Sequence, residues 1–264
     1  MEGVRERASA IVASGRKPVL LHIGACIFTW DVPWVDGQLY REVMSILSPV
    51  MSSVRLVLVE PMLEYAPIIW GNVRKLNISD QQVQLIGTAV DRAEDCRRQR
   101  PMYRMSLQAF KDLGPGILEA GAWGSFNPLH MSNVVNSVKY QDHPGQDTLQ
   151  RLAAWGNLSS YVEEAKVFCQ SPADLLASAK VAPEDLAMVV VDAESRDAFI
   201  VDELSALPGF RPAVLQLEVS KDPSDRWIAQ RLHDRGFQLG FGDTRVGEGS
   251  NLFAVPDEAR SPAR

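Results

Sequence analysis

Cysteine is scarce in this chain, with three among 264 residues, Cys26, Cys96 and Cys169. They lie far apart, with no CxxC pair and no histidine at zinc-finger spacing, which excludes that kind of metal site and predicts buried free thiols. Nowhere do about 18 apolar residues run together, and the charged stretch Met1 to Lys17 has no apolar core of signal-peptide length. Positive charge is in deficit, since 27 Lys and Arg against 33 Asp and Glu give a formal charge of -6. That balance argues against broad capture of phosphate backbones. A GxGxxG fingerprint is also missing, which disfavours a nicotinamide-dependent oxidoreductase. These absences together predict a soluble, cytoplasmic protein in a reducing compartment, with a small partner and with neither a nucleic acid nor a membrane.

What is present is apolar periodicity. With 46% hydrophobic and 23% charged residues the chain can bury a substantial core. Pro18 to Gly24 (PVLLHIG) is a short, nearly continuous apolar run of the kind that forms a strand buried on both faces. Val54 to Glu60, Val83 to Val90, Leu186 to Asp192 and Ala213 to Val219 share that character, with gaps long enough for crossover helices. Helices are predicted at Gln38 to Leu47, Leu63 to Leu76, Asp197 to Ala206 and Asp225 to Arg235. Phe237 to Gly242 and Asn251 to Val255, joined by the polar, Gly-rich DTRVGEGS, read as a hairpin. The expectation is an α/β fold, a mostly parallel Rossmann-like sheet with a terminal antiparallel pair.

About ninety residues, Asp91 to Asp185, separate the third and fourth strands, too many for a simple loop. This insert, taken as roughly residues 101–182 of a single domain spanning 1–257, is expected to cap the carboxyl ends of the strands and to set binding specificity. It holds a helix candidate at Thr148 to Trp155. Residues 258–264 read as a frayed tail. The mixed-charge run Asp91 to Arg100 reads as a solvated face.

In an open α/β sheet the ligand sits beyond the carboxyl ends of the strands, where strand order reverses. Strand one ends in His22-Ile23-Gly24-Ala25-Cys26, whose small residues let a ligand approach the backbone. Strand two ends in Glu60-Pro61, where a carboxylate is placed to accept both hydroxyls of a ribose; a carboxylate paired with a nearby cation is the plainer alternative. Thr88 and Ala89 close strand three and suit an adenine site. Asp192 and Glu194 close strand four, and two carboxylates there can orient a hydroxyl or act as general base; helix capping is the other reading. His22 also fits a core histidine bonded to a backbone carbonyl. Trp30, Trp34 and Trp123 suit either ring stacking or loop closure, and His130 and His143 are weaker candidates for a general base. No metal ligand is assigned.

The successive blocks HIGAC, LVEPMLEYAPIIWGNV, DAESRD and VLQLEV resemble those of the FkbM-type methyltransferase family, in family order. VFCQSPADLLASAKV and NLFAV extend the likeness across roughly Pro18 to Val255. Glu60, Pro61, Asn72, Asp192, Glu194 and Asp197 occupy places of the family pattern. The resemblance implies a class I methyltransferase fold, S-adenosylmethionine as cofactor, and methylation of a hydroxyl on a sugar or other small molecule. Taken with the strand-end positions, cofactor binding is expected at His22, Gly24, Ala25, Cys26, Glu60, Pro61, Thr88 and Ala89, and catalysis at Asp192 and Glu194. The chain departs from the pattern at His22 (acidic in the family), Cys26 (Asn), Phe28 (Gly) and Ser195 (Gly). A side chain at Phe28 would crowd the methionine half of the cofactor, where glycine leaves the backbone bare. The alternative expectation is a non-catalytic binding or scaffold protein of the same fold.

Overall fold

The computed structural model describes residues 2–26, 28, 35–76, 78–96, 99–106, 108, 124–126, 158–193, 196–219, 226–241 and 250–257. The expected helix at 148–155, the tryptophans Trp30, Trp34 and Trp123, His130, His143, Glu194 and the tail 258–264 lie outside them.

Every long apolar run becomes a strand. β1 (Val19–Ile23) is buried at all five positions and β8 (Leu186–Val191) at all six. They lie side by side, parallel, with β2 (Arg55–Val59) beyond β1 and β9 (Val214–Val219) beyond β8. β3 (Val83–Ile86) extends the parallel set from β2. At the other side β11 (Ser250–Pro256) runs antiparallel to both β9 and β10 (Phe237–Phe241). Among the described residues the sheet has seven strands in the order β10-β11-β9-β8-β1-β2-β3. Parallel strands that step outward from β1 in both directions, finished by a β10-β11 pair in which β11 inserts beside β9, define the class I methyltransferase sheet, an α/β fold of the Rossmann-like kind.

Helices cover the sheet because their apolar stripes match it. α1 (Glu2–Ala13) buries Val4, Ala8 and Ile11, spaced along one face, and packs on α2 (Val35–Leu47). α3 (Ala66–Arg74) follows β2. α4 (Pro172–Ala179) starts where the Ser171 hydroxyl accepts the Asp174 N–H and Pro172 supplies a preset φ, and it stops at Lys180 in a left-handed conformation. α5 (Asp197–Ala206) and α6 (Arg226–Asp234) are the last two helices among the described residues. Leu175 and Leu176 of α4, Ile200, Val201 and Leu204 of α5, and Ile228 and Leu232 of α6 form one core with Leu21, Ile23, Val57, Val59, Val189 and Val191 of the sheet.

The stretch expected as one strand at 83–90 is broken. A side chain at Gly87 would stand 2.6 Å from Leu63, and the Thr88 N–H turns back to the Ile86 carbonyl at 3.1 Å. Here the chain leaves the sheet, and β4 (Ala89–Val90) pairs in parallel with β7 (Cys169–Gln170).

Two compact units result, residues 1–97 with 169–264, and residues 98–168. In the second, β5 (Arg100–Met105) and β6 (Val162–Val167) pair antiparallel. Arg104 bonds Glu163 at 3.0 Å across that pair, Tyr103 bridges to Ser125, and the Arg100 guanidinium lies 4.0 Å over the Phe126 ring. Residues 169–182, counted with the insert in the sequence reading, belong to the unit that carries the sheet.

Candidate functional site

The carboxyl ends of β1, β2 and β8 meet at Gly24. Its φ is +80°, and a side chain there would lie 1.7 Å from the Asp192 carbonyl oxygen, so only glycine lets these two backbones approach. The Gly24 and Ala25 N–H groups both donate to the Val59 carbonyl, at 2.9 and 3.0 Å, and the Asp192 N–H donates to Ile23 at 2.9 Å. Three strand ends are thereby fixed to one another. The chain then passes through Cys26 (φ 49°) and Phe28 (φ 51°), two side-chain-bearing residues in the left-handed region. Such conformations cost of order 1–2 kcal/mol each and persist only where the surroundings impose them. Here the Phe28 N–H bond to the Ala25 carbonyl at 2.7 Å closes the turn.

Glu60 stands one residue past β2 and is buried. Its Oε2 accepts the Cys26 N–H at 2.8 Å and its Oε1 accepts the Met62 N–H at 2.8 Å. The carboxylate thus binds the β1 turn to the start of the segment that leads into α3, with Pro61 between its own two anchors. Burial pushes its pKa up to about 8, against the two N–H bonds, which pull it down.

His22 faces the opposite way from Leu21 and Ile23, as strand alternation requires. Its ring stacks on Tyr40 of α2 (centroids 5.6 Å apart, planes at 14°) and meets Phe28 edge-on at 6.0 Å. Phe28 and Tyr40 complete the trio at 5.0 Å. A core histidine is what one reading of the sequence expected; in place of the expected carbonyl partner it has ring contacts, and among the described residues neither ring nitrogen has a hydrogen-bond partner. Burial drives its pKa down to about 3, so the ring is neutral. Phe28, expected to crowd the cofactor, has its ring in this aromatic group.

Thr88 and Ala89 are buried at the break after β3, with the Thr88 hydroxyl donating to the Ala89 carbonyl at 3.1 Å. Asp192 lies on the turn beside Gly24, and the next N–H, of Ala193, donates to Asp197 Oδ1 at 3.1 Å. Asp197 is buried and so acts as the anchor of the β8-α5 turn. Asn72 is buried on α3. Gly24, Ala25, Cys26, Glu60 and Asp192 are therefore joined by direct contacts or by adjacency in the chain, His22 is turned to α2, and Thr88 and Ala89 stand at the neighbouring strand end.

Two features of this region depart from the sequence reading. Asp91, expected on a solvated face, has no exposure at all, and its Oδ1 accepts both Arg196 Nε at 2.8 Å and the Arg92 N–H at 2.8 Å. Arg196 also reaches Asp95 at 2.8 Å, and Arg92 and Arg196 both lie over the Phe199 ring, at 4.4 and 4.8 Å. A carboxylate so buried is tolerated only with such a partner. The signal for it was the ending of TAVD, an apolar run closed by aspartate like VVVD at Asp192. Second, Cys96 and Cys169 are joined in a disulfide with Cα atoms 5.1 Å apart, and Cys26 keeps its thiol. The two partners are 73 residues apart, a separation that spacing rules cannot read.

No family model matches the chain, and no curated protein matches it. Among solved structures it is similar to precorrin-6y C5,15-methyltransferase from Geobacter metallireducens, at 12% identity and a TM-score of 0.37, over 91% of this chain and 81% of that one. It is also similar to magnesium protoporphyrin IX methyltransferase from Synechocystis with bound SAM, at 10% identity and a TM-score of 0.37, over 96% and 77%. A SAM-dependent methyltransferase from Aquifex aeolicus gives 8% identity and a TM-score of 0.34, over 96% and 90%. At these TM-scores the likenesses carry no functional argument, and the fold rests on the strand order and pairing. No described helix is long and apolar enough to cross a membrane.

Proposed function

We propose that this chain is an S-adenosylmethionine-dependent methyltransferase that methylates a hydroxyl oxygen of a small molecule or sugar. The observation that carries the reading is Glu60, a buried carboxylate at the carboxyl end of β2, bonded to the Gly24-Cys26 turn of β1. Each of its oxygens accepts one N–H bond, and a carboxylate oxygen has a second acceptor direction. The acceptor direction left over and the O–H that Glu60 keeps below about pH 8 fit a ribose diol, whose hydroxyls both donate and accept. S-adenosylmethionine, when bound, supplies a methyl group on a sulfonium, open to attack by oxygen.

In this reading Glu60 and Pro61 hold the ribose, Gly24, Ala25 and Cys26 carry the methionine end, and Thr88 and Ala89 contact the adenine. His22 acts from behind, setting the turn through Phe28. Displacement requires chiefly that the hydroxyl be held in line, so positioning supplies most of the rate. Asp192 orients that hydroxyl and takes its proton, together with Glu194.

Ligand that binds the native state raises the melting midpoint, by about 2.7 kcal/mol of added stability at a hundredfold excess over Kd. S-adenosylmethionine and S-adenosylhomocysteine should raise it, NADH should not, and Glu60→Ala should abolish the rise. The second reading, a non-catalytic binding protein of the same fold, is favoured by one observation: the Cys26 N–H, a backbone donor facing the site, is already used by Glu60. It requires that neither adenosyl ligand move the midpoint at saturation.

A further inference from the structure

We propose that the Cys96–Cys169 disulfide is a redox switch on this site, holding Thr88 and Ala89 in place when oxidised and releasing them when reduced. The proposal rests on the cofactor reading given above. β4 and β7 are only two residues each, Ala89↔Cys169 and Val90↔Gln170. So short a pair has little stability of its own. The Asp91 N–H adds one bond to the Gln170 carbonyl at 3.3 Å, and the chain then turns through Arg92 to Asp95. Cys96 follows at once and is bonded back to Cys169, the first residue of β7. The disulfide at one side and the Ala89↔Cys169 pairing at the other therefore close residues 89–96 into a small ring with Cys169.

The effect reaches a second strand end. Asp91 lies inside this ring, and through its bond to Arg196 it grips the residue preceding α5, whose Asp197 anchors Ala193 beside Asp192. Opening the ring frees Asp91 and loosens both walls together. Cys96 and Cys169 are each half-buried, within reach of a small dithiol. In the step, a thiolate of that dithiol attacks one sulfur of the disulfide and expels the other as thiolate. The reductant's second thiol then resolves the mixed disulfide. The reductant ends as a disulfide, and the two cysteines end as thiols, having taken up two electrons and two protons.

The test uses the full chain before and after dithiothreitol, and a Cys96→Ser/Cys169→Ser double variant that keeps Cys26. Thiol titration should count one free thiol before reduction and three after. Reduction should lower the ligand-free melting midpoint by roughly 5–10 °C, as loss of a cross-link over a loop of this length implies. S-adenosylhomocysteine, titrated calorimetrically, should bind the reduced protein and the double variant at least tenfold more weakly than the oxidised protein, with dithiothreitol leaving the double variant unchanged. Three free thiols at the outset, or equal affinity in the two redox states, overturn the switch and leave the cofactor reading standing. No binding to the oxidised protein overturns the cofactor reading and the switch with it.

Discussion

His22 and Glu60 sit at the ends of adjacent strands with their charges suppressed by the same burial, and the consequences for stability run in opposite directions. His22 is neutral in the fold down to about pH 3, whereas the unfolded chain protonates it near pH 6.5. The unfolded state therefore binds the extra proton between those values, and stability falls as pH falls from 6.5. Glu60 keeps its proton in the fold up to about pH 8, while the unfolded chain releases it near pH 4.3. Its contribution is lost as pH rises through that window. The two slopes offset each other between about pH 4.5 and 6.5, leaving a loss on the alkaline side due to Glu60 and one on the acid side due to His22. In urea titrations, Glu60→Gln should remove about 2 kcal/mol of the decline between pH 6 and 8. The advantage of His22→Leu over the parent should be larger at pH 5 than at pH 8 by a similar amount; equal differences at both pH values would refute the assignment. Gly24→Ala, forced against the Asp192 carbonyl at positive φ, should cost about 3 kcal/mol or more. Glu60 was legible because it closes an apolar run before Pro61. Asp91 carries the same signature, but its partner Arg196 comes from 105 residues away, and mixed-charge neighbours disguise it.

Elements were legible in proportion to how completely their burial is written locally. β1, β2, β8 and β9 read as strands because they are apolar almost throughout, and the hairpin strands β10 and β11 were placed within two residues. The break after Ile86 is not readable, since the apolar run continues through it and β4 finds its partner β7 about eighty residues further on. α1 was passed over because its buried stripe is only Val4, Ala8 and Ile11 in an otherwise charged stretch. The Asp91–Arg196 pair ties the exit of β4 to the entry of α5, and at this scale its removal should be felt. Asp91→Asn should lower stability by about 3 kcal/mol or more, because it leaves Arg196 without its buried counter-charge. Arg231→Ala, which ends an exposed pair with Asp202 at 3.6 Å, should cost under about 1 kcal/mol. Chemical denaturation of the two variants in parallel decides whether buried and exposed pairs differ as stated.

For the molecule as a whole, apolar strand runs alternating with helices predict the parallel sheet, and the closing hairpin its antiparallel finish, whereas the division into two units depends on contacts within 98–168 that no local pattern announces. The sequence placed the boundary of the insert past α4; the fold places α4 with the sheet, because Leu175, Leu176 and Ala179 pack into its core. Replacing residues 98–168 by a short Gly/Ser linker should leave a cooperatively folding protein, with near-UV circular dichroism and a sharp thermal transition as the readout; a broad transition would show that the sheet needs the second unit to fold. The reason is the 5.1 Å between the Cα atoms of Cys96 and Cys169. Two chain ends held that close make the intervening residues an exchangeable cassette, so the same sheet can be fitted with a different one without its own strands being redesigned.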